Sequence, residues 1–176
     1  MVSCVGSFGS HDFMRKICGT ANVAVFEEAR RQGVDRAVFI SAHDFGPPLR
    51  SILRGYFEGK YMAEEALFSH FEGGAGTALR PGMVHGTRYV NLTDSNAISI
   101  PLSLIGKPME VIFGNMKVRG LLGRALPGAL QRLCVPAVSA DTLGKASMEA
   151  LLDSIPQDSL DSDQERIVDV WQLLNV

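Results

Sequence analysis

Residues 36–41 read Arg36-Ala37-Val38-Phe39-Ile40-Ser41, and this short apolar run decides the fold. A strand that is apolar at successive positions is covered on both faces, as the strands of parallel sheets are. A similar run, Val2-Ser3-Cys4-Val5, ends in a glycine-rich turn, and Thr77-Ala78-Leu79-Arg80 ends at Pro81-Gly82. We therefore predict parallel strands of one sheet over Val2–Val5, Arg36–Ser41 and Thr77–Arg80.

Helices are predicted between these strands. Gly19–Gln32 carries apolar residues at helical spacing and stops at Gly33, a residue that commonly ends helices. Arg54–Phe71 mixes apolar and charged residues, and Gly73-Gly74-Ala75-Gly76 breaks it. Strands that alternate with helices favour right-handed crossovers and a parallel sheet, so the predicted fold class is α/β.

The second half of the sequence is less regular. Ser95–Gln131 mixes apolar stretches with Gly and Pro and predicts short helices over the sheet. Cys134–Val138 predicts a strand, and Ser139 is placed to cap a helix that runs through Leu143–Leu152. Ile167–Val170 predicts a last strand, which a short terminal helix follows. We expect a sheet-bearing half over residues 1–88 and a substrate-side region over 89–176, packed on the same domain.

Composition narrows the class of protein. The chain has 176 residues, 46% of them hydrophobic and 20% charged, which suits one globular domain with a sizeable core. The formal net charge of -2 gives no basic excess for nucleic acid or an anionic membrane. No apolar run reaches the ~20 residues of a membrane span. The start at Met1 has neither a signal-peptide nor a transit-peptide pattern, so we expect no targeting segment in this chain.

Cysteine and histidine spacing predicts neither a disulfide framework nor a metal site. The three cysteines, Cys4, Cys18 and Cys134, are far apart, and no CxxC pair occurs. The four histidines are scattered as well. A reducing compartment and the absence of a resident metal are the expectations.

Tyr56-Phe57-Glu58-Gly59-Lys60 is the sharpest local motif. On a helix, Tyr56 and Lys60 share a face, and the ammonium group would favour the tyrosinate and lower the Tyr56 pKa. Tyr56 could then exchange a proton with a substrate oxygen near neutral pH. Ser41 ends the preceding strand, where ligands of open α/β sheets bind. The alternatives are a surface Tyr–Lys pair and a serine that bonds its own loop.

The order and spacing of the whole set resembles the atypical and extended short-chain dehydrogenase/reductases, from Val2 to about Arg88. The set comprises the glycine-rich turn at Gly6–Gly9, Gly19-Thr20 opening a helix, Ser41, the Tyr56/Lys60 pair and Arg80-Pro81-Gly82. More narrowly, three stretches are similar to an organellar branch of plants, algae and fungi: Val2–Gly9, Arg54–Lys60 and Leu79–Arg88. That branch is related to the Rossmann-fold accessory subunit of respiratory complex I and to a mitochondrial protein of ubiquinone biosynthesis.

The resemblance implies a Rossmann-type parallel sheet with flanking helices, NADP or NAD as cofactor, and an NAD(P)-dependent oxidoreductase activity. It implies the catalytic residues Ser41, Tyr56 and Lys60, with Tyr56 as the acid/base. Lys60 would also hold the cofactor ribose. It implies that the cofactor is bordered by Val5, Gly6, Lys60, Pro81, Gly82 and Val84.

Two departures from the family limit this expectation. Many members carry an Asn three residues before the Gly-Thr pair, where this chain has Lys16. The family also opens with a glycine-rich βαβ unit, and none precedes Met1 in this sequence. We therefore expect weak or absent dinucleotide binding by this chain, and an unpaired edge at Val2–Val5 open to aggregation or docking. A truncated product, an alternative start and an incomplete gene model all remain open.

The family contains enzymes as well as non-catalytic subunits, so catalysis itself stays open. The alternative to an oxidoreductase linked to quinone or respiratory-complex metabolism is an accessory or scaffold subunit, or an inactive truncated product. The expected location is mitochondrial by resemblance, with the chloroplast as the alternative. A respiratory or quinone-biosynthesis complex is the expected partner. The substrate cannot be identified from the sequence.

Overall fold

The computed structural model of the chain describes residues 1–93, 96–101, 135–152 and 166–173. The strands in chain order are β1 (Val2–Ser3), β2 (Ala37–Ile40), β3 (Gly76–Arg80), β4 (Val84–His85), β5 (Thr87–Thr93), β6 (Asn96–Pro101), β7 (Val138–Ser139) and β8 (Arg166–Asp169). The helices are α1 (His11–Arg15), a π-helical turn (Lys16–Thr20), α2 (Ala21–Arg31), α3 (Pro47–Ile52), α4 (Arg54–His70), α5 (Ala140–Leu151) and α6 (Val170–Leu173).

The central sheet has four parallel strands in the order β1-β2-β3-β8. Val38 pairs with Val2 on one side and with Thr77 on the other, and Leu79 pairs with Val168. The predicted parallel sheet is therefore confirmed, with β2 and β3 in its interior and β1 at one edge. Because all four strands run the same way, their carboxyl ends meet along one edge of the sheet.

Side chains alternate between two cores on the two faces of this sheet. On β2, Phe39 points into a core formed with α2 and α4, where it meets Phe26 edge-to-face at 5.6 Å between ring centroids. Val38 points to the other face, into a core formed with α5 and α6. This alternation decides which polar residues at the carboxyl ends of the strands lie on the α4 side.

The helix before β2 begins earlier than the sequence predicts. It starts at His11 rather than Gly19, because Ser10 caps α1 by accepting a hydrogen bond from the Phe13 N–H. The π-helical turn then joins α1 to α2 without a break. The C-terminal end agrees with prediction: α2 ends at Arg31, and Gly33 has a φ of 78°, which glycine adopts without strain.

The second half corrects two predictions. Asn96–Pro101, expected within a region of short helices, is strand β6 and pairs antiparallel with β5. Among the described residues of the strand expected over Cys134–Val138, only Val138 lies in a strand, β7 (Val138–Ser139), which pairs with β4. Ser139 caps α5 as predicted, since its hydroxyl accepts from the Thr142 N–H at 3.0 Å. The rest of the predicted short-helix region, residues 95 and 102–131, lies outside the described residues.

Within the described ranges, no helix combines the length and the apolar character needed to cross a membrane. The same ranges hold no cluster of three or more His, Cys, Asp or Glu side chains suited to a metal ion.

Candidate active site at the carboxyl ends of the strands

Lys60 lies at the centre of the candidate site. Its ammonium donates to the Ile40 carbonyl at 2.7 Å and to the Val5 carbonyl at 3.4 Å, so it joins the ends of β2 and β1. It also lies 4.4 Å from the centroid of the Phe39 ring. The residue is only 4% exposed, and burial lowers the pKa of its ammonium from 10.5 to about 8. A buried lysine of this kind is costly to maintain in its charged form.

Tyr56 lies one turn before Lys60 on α4, and its ring is partly covered. The Phe8 ring stacks on it at 5.0 Å between centroids, and Phe8 itself is 68% exposed. Burial, with a smaller contribution from Cys18, raises the pKa of the Tyr56 hydroxyl to about 12. The expectation that Lys60 lowers this pKa is therefore wrong for this structure. The Lys60 ammonium donates its hydrogen bonds to the Ile40 and Val5 carbonyls, and desolvation has the largest effect on the Tyr56 pKa.

Ser41 provides an unusual hydroxyl group. Its backbone N–H extends the ladder beyond β2 by donating to the Leu79 carbonyl at 2.8 Å. The residue is 4% exposed, yet its Oγ has no hydrogen-bond partner among the described residues. Because Ala37 and Phe39 point to the α4 face, alternation places Ser41 on that face as well. The alternative of a serine that bonds its own loop does not hold here.

Two hydrogen-bonded pairs of polar side chains lie on the same face, and the sequence reasoning did not find them. His43 Nδ1 lies 2.9 Å from the Asp169 carboxylate, which ends β8. Arg80, at the end of β3, makes a bidentate bond to Glu64 of α4 at 2.9 and 2.6 Å. Residues 43 and 169 are 126 positions apart, so no local spacing could have signalled their contact. The i,i+16 spacing of the Glu64–Arg80 pair gives no helical signal either.

Asn22 is a further residue that the sequence reasoning missed. Its buried amide accepts from the Ser3 hydroxyl at 2.6 Å and donates to the carbonyls of Cys18 at 2.9 Å and Val5 at 3.2 Å. The Val5 carbonyl is also a Lys60 acceptor. Asn22 thus fixes the loop after β1 against the π-helical turn and, through Val5, positions Lys60.

The remaining predicted cofactor residues fall into two groups. Val5 and Gly6 lie beside Lys60, since a Cβ placed on Gly6 would come 3.4 Å from the ammonium nitrogen. Pro81 is tied to the site through its carbonyl, which accepts from the His43 N–H at 2.9 Å. Val84 lies farther along the chain, in the short β4–β7 pair.

Gly82 has a packing reason that the sequence did not suggest. The family resemblance places Gly82 beside the cofactor. A Cβ at this position would instead lie 2.8 Å from Val135 Cγ1 and 2.9 Å from the Pro136 carbonyl oxygen. The chain's own residues 135–136 therefore require glycine here, so Gly82 alone is no indicator of a cofactor.

Replacing Ser41 by alanine tests whether its hydroxyl is built for a ligand. An unsatisfied buried hydroxyl costs about 1 kcal/mol or more, so Ser41→Ala is expected to raise the free energy of unfolding by about 1 kcal/mol. Ser147→Ala is the matched control, because the Ser147 hydroxyl is equally buried but donates to the Leu143 carbonyl at 2.8 Å. Urea unfolding of both variants measures the effect. A loss of stability in Ser41→Ala would mean that its hydroxyl is already satisfied.

Together the sheet, its flanking helices and the polar residues at the strand ends define an α/β protein of Rossmann type. A relative in Arabidopsis thaliana, an uncharacterized chloroplastic protein, is 37% identical over 155 residues, which cover 87% of this chain and 49% of the relative. The chain thus spans about half the length of that relative. No family model matches the chain.

A solved structure described as "Putative NAD-dependent epimerase/dehydratase from Bacillus halodurans" is similar over 59% of this chain and 52% of that chain. The TM-score is 0.39 and the sequence identity is 20%.

Proposed function

We propose that this chain forms the nicotinamide side of an NAD(P)-binding oxidoreductase site of the short-chain dehydrogenase/reductase kind. The observation that carries the proposal is the buried, unpartnered hydroxyl of Ser41 at the carboxyl end of β2. Lys60 of α4 donates to the carbonyl of Ile40, the residue before Ser41, and Tyr56 lies one turn earlier on α4. A polar atom held without a partner at this edge of a parallel sheet is suited to a ligand oxygen.

Each of the three residues has a distinct role in the proposed reaction. Ser41 donates a hydrogen bond to a substrate carbonyl oxygen, and Tyr56 delivers or removes the proton there. Lys60 has a third N–H beyond those on Ile40 and Val5, and this N–H holds a ribose hydroxyl of the cofactor. The nicotinamide supplies the hydride, while the protein orients and polarises the substrate. Because the Tyr56 pKa is raised to about 12, the bound cofactor and substrate must reshape this environment for proton transfer to occur near neutral pH.

A non-catalytic subunit is the second candidate, and one observation favours it. The Lys60 ammonium already bonds two backbone carbonyls, and Phe8 already stacks on Tyr56. Both residues would then serve packing alone. This candidate predicts that neither residue responds to a nicotinamide compound.

The chloroplast is the location that we propose, because the Arabidopsis relative is named chloroplastic. Neither comparison supports the mitochondrial expectation or a respiratory or quinone-biosynthesis partner. The partner proposed here is the nicotinamide dinucleotide alone.

Reduced nicotinamide mononucleotide is the probe that tests this proposal most directly. It contains the nicotinamide ring and its ribose, which this site would hold. We expect saturation-transfer NMR to show its ring protons in contact with the chain. We also expect the affinity for NADPH to be within about tenfold of the affinity for the mononucleotide. Most dinucleotide affinity comes from a helix N-terminus that faces the pyrophosphate. The helix after β1 is short and carries Asp12 in its first turn, which disfavours phosphate.

Two substitutions separate the candidates. Lys60→Met should weaken mononucleotide binding about tenfold, the cost of one charge-assisted hydrogen bond, whereas Tyr56→Phe should leave it nearly unchanged. Lys145→Met, an exposed lysine on α5, is the control. Equal binding by the wild type and Lys60→Met would favour the non-catalytic subunit. No ring contact at millimolar probe would refute nicotinamide binding by this chain.

A further inference from the structure

His43 is held firmly on three sides. Its N–H donates to the Pro81 carbonyl at 2.9 Å, and its ring meets the Phe45 ring edge-to-face at 5.3 Å between centroids. Its Nδ1 lies 2.9 Å from Asp169 Oδ1. The side chain is 15% exposed, and its Nε2 makes no hydrogen bond with the described residues. The imidazole therefore has one anchored nitrogen and one available nitrogen.

Asp169 determines which nitrogen carries the proton. Burial alone would raise the pKa of this carboxyl, but the hydrogen bonds from His43 and the Val170 N–H outweigh burial and lower it. The Val170 bond is short, at 2.7 Å. Because Asp169 is then a carboxylate, the neutral imidazole keeps its proton on Nδ1. The Nε2 atom is left as an acceptor that needs a donor from a ligand or from water.

His43 and Ser41 lie on the same side of the chain. Both residues continue the β2 ladder, because their N–H groups donate to the carbonyls of Leu79 and Pro81. Side chains two residues apart in an extended chain point the same way, with Cα atoms about 6–7 Å apart. Ser41 Oγ has no partner, so these residues do not form the hydrogen-bonded chain of a serine-hydrolase triad. A donor hydroxyl and an acceptor nitrogen are thus presented side by side.

The charged groups around this pair are Asp169, Arg80 and Lys60. Arg80 lies close enough to Asp169 to contribute to its lowered pKa, and it is bound by Glu64. Lys60 of α4 lies on the Ser41 side, where its ammonium donates to the Ile40 carbonyl at 2.7 Å. The Asp169 carboxylate lies 2.9 Å from His43 Nδ1 and disfavours an anionic group beside this residue, so a neutral polar ligand suits His43 better.

We propose that His43, oriented by Asp169, is a second ligand-binding residue of the site, and that the substrate is a hydroxy-carbonyl compound. The carbonyl oxygen accepts from Ser41, and a hydroxyl on a neighbouring carbon donates to His43 Nε2. The inference rests on the proposed function for the role of Ser41, and it adds the substrate class. His43 is assigned to binding, and Asp169 is a positioning residue.

Hydroxyacetone and acetone are a matched pair of probes, since they differ by the hydroxyl that His43 would accept. Long-range ¹H–¹⁵N NMR at about pH 8, above the ordinary imidazole pKa of about 6.5, reports each imidazole nitrogen. We expect the His43 Nε2 signal to shift saturably with hydroxyacetone and at least fivefold less with acetone. The loss of one signal in His43→Gln assigns it, and the His70 signal serves as the internal control.

Asp169→Asn provides a second readout. The amide cannot hold Nδ1–H as the carboxylate does, so the tautomers should mix and the hydroxyacetone shift should shrink. If Asp169→Asn fails to fold, the wild-type probe pair still decides. Equal shifts from both probes, or none from either, would overturn the inference. His43 responding to nicotinamide mononucleotide but not to hydroxyacetone would overturn it too, leaving the proposed function intact. A hydroxyacetone response without mononucleotide binding would support the inference and refute the cofactor.

Discussion

Gly55→Ala is expected to destabilise the chain by about 3 kcal/mol, the upper end of what overpacking usually costs. Gly55 lies in the first turn of α4, and a Cβ there would overlap the carbonyl oxygen of His11. The overlapped atom belongs to the backbone of α1, so no side-chain rotation can relieve it. Helix α1 would have to move away from α4. This shift would also displace Tyr56, which follows Gly55 in α4. Thermal unfolding should show a melting temperature lower by roughly 10 °C.

Gly144→Ala is the matched control for this effect. Gly144 lies inside α5, and a Cβ there meets nothing within 4 Å. Alanine in an open helical position is favoured over glycine by about 0.5–1 kcal/mol, so this variant should unfold at a slightly higher temperature. If the two variants lose stability equally, the close approach of α1 to α4 is not what requires Gly55.

Lys60→Met is expected to remove a pH dependence from the stability of the chain. In the folded protein the Lys60 pKa is lowered to about 8, whereas in the unfolded chain it is near 10.5. Between these values the unfolded state binds more protons, so wild-type stability should rise with pH. From pH 8 to pH 10 the rise should be about 2 kcal/mol. The stability gained at high pH is therefore lost as the pH falls towards the folded-state Lys60 pKa of about 8.

Tyr56 sets the upper limit of that window. Its pKa is raised to about 12, so its contribution is present below pH 10 and is lost above it. Urea unfolding at intervals from pH 7 to pH 10 should give a rising curve for the wild type and a flatter one for Lys60→Met. Lys145→Met, on an exposed part of α5, should follow the wild type. A rise in Lys60→Met equal to that of the wild type would show that Lys60 is not the group responsible.

The parallel strands and the position of Tyr56 and Lys60 on one helix could be predicted because their signals are local. An apolar run and an i,i+4 spacing can both be recognised within a few consecutive residues of the sequence. The environment of these residues could not be predicted, since it depends on tertiary contacts. The Tyr56 pKa rises because the residue is buried. The Lys60 ammonium lies 5.8 Å from the centroid of the Tyr56 ring, but its hydrogen bonds go to backbone carbonyls. The sequence shows which ionisable residues the site contains, but not how strongly burial shifts the pKa values of Tyr56 and Lys60.

The polar residues that were missed follow the same logic. His43 and Asp169 are 126 positions apart in the sequence, and they meet only because β8 joins the sheet beside β3. Asn22 looks like an ordinary helical residue until the π-helical turn directs its amide to the loop after β1. Gly82 was assigned to a ligand, whereas residues 135–136 explain it. In each case the deciding partner lies far away in sequence.

The π-helical turn at Lys16–Thr20 also fixes the phase between two helical segments. A π turn contains one residue more than an α turn, which rotates everything beyond it by about 100°. Here the extra residue lets Gly19 lie directly against Gly59, where a Cβ on Gly19 would come 2.9 Å from the Gly59 Cα. Such a turn is in effect a single-residue insertion that the fold has absorbed. Deleting one residue between Arg15 and Ala21 would restore a regular helix but turn Asn22 away from Val5.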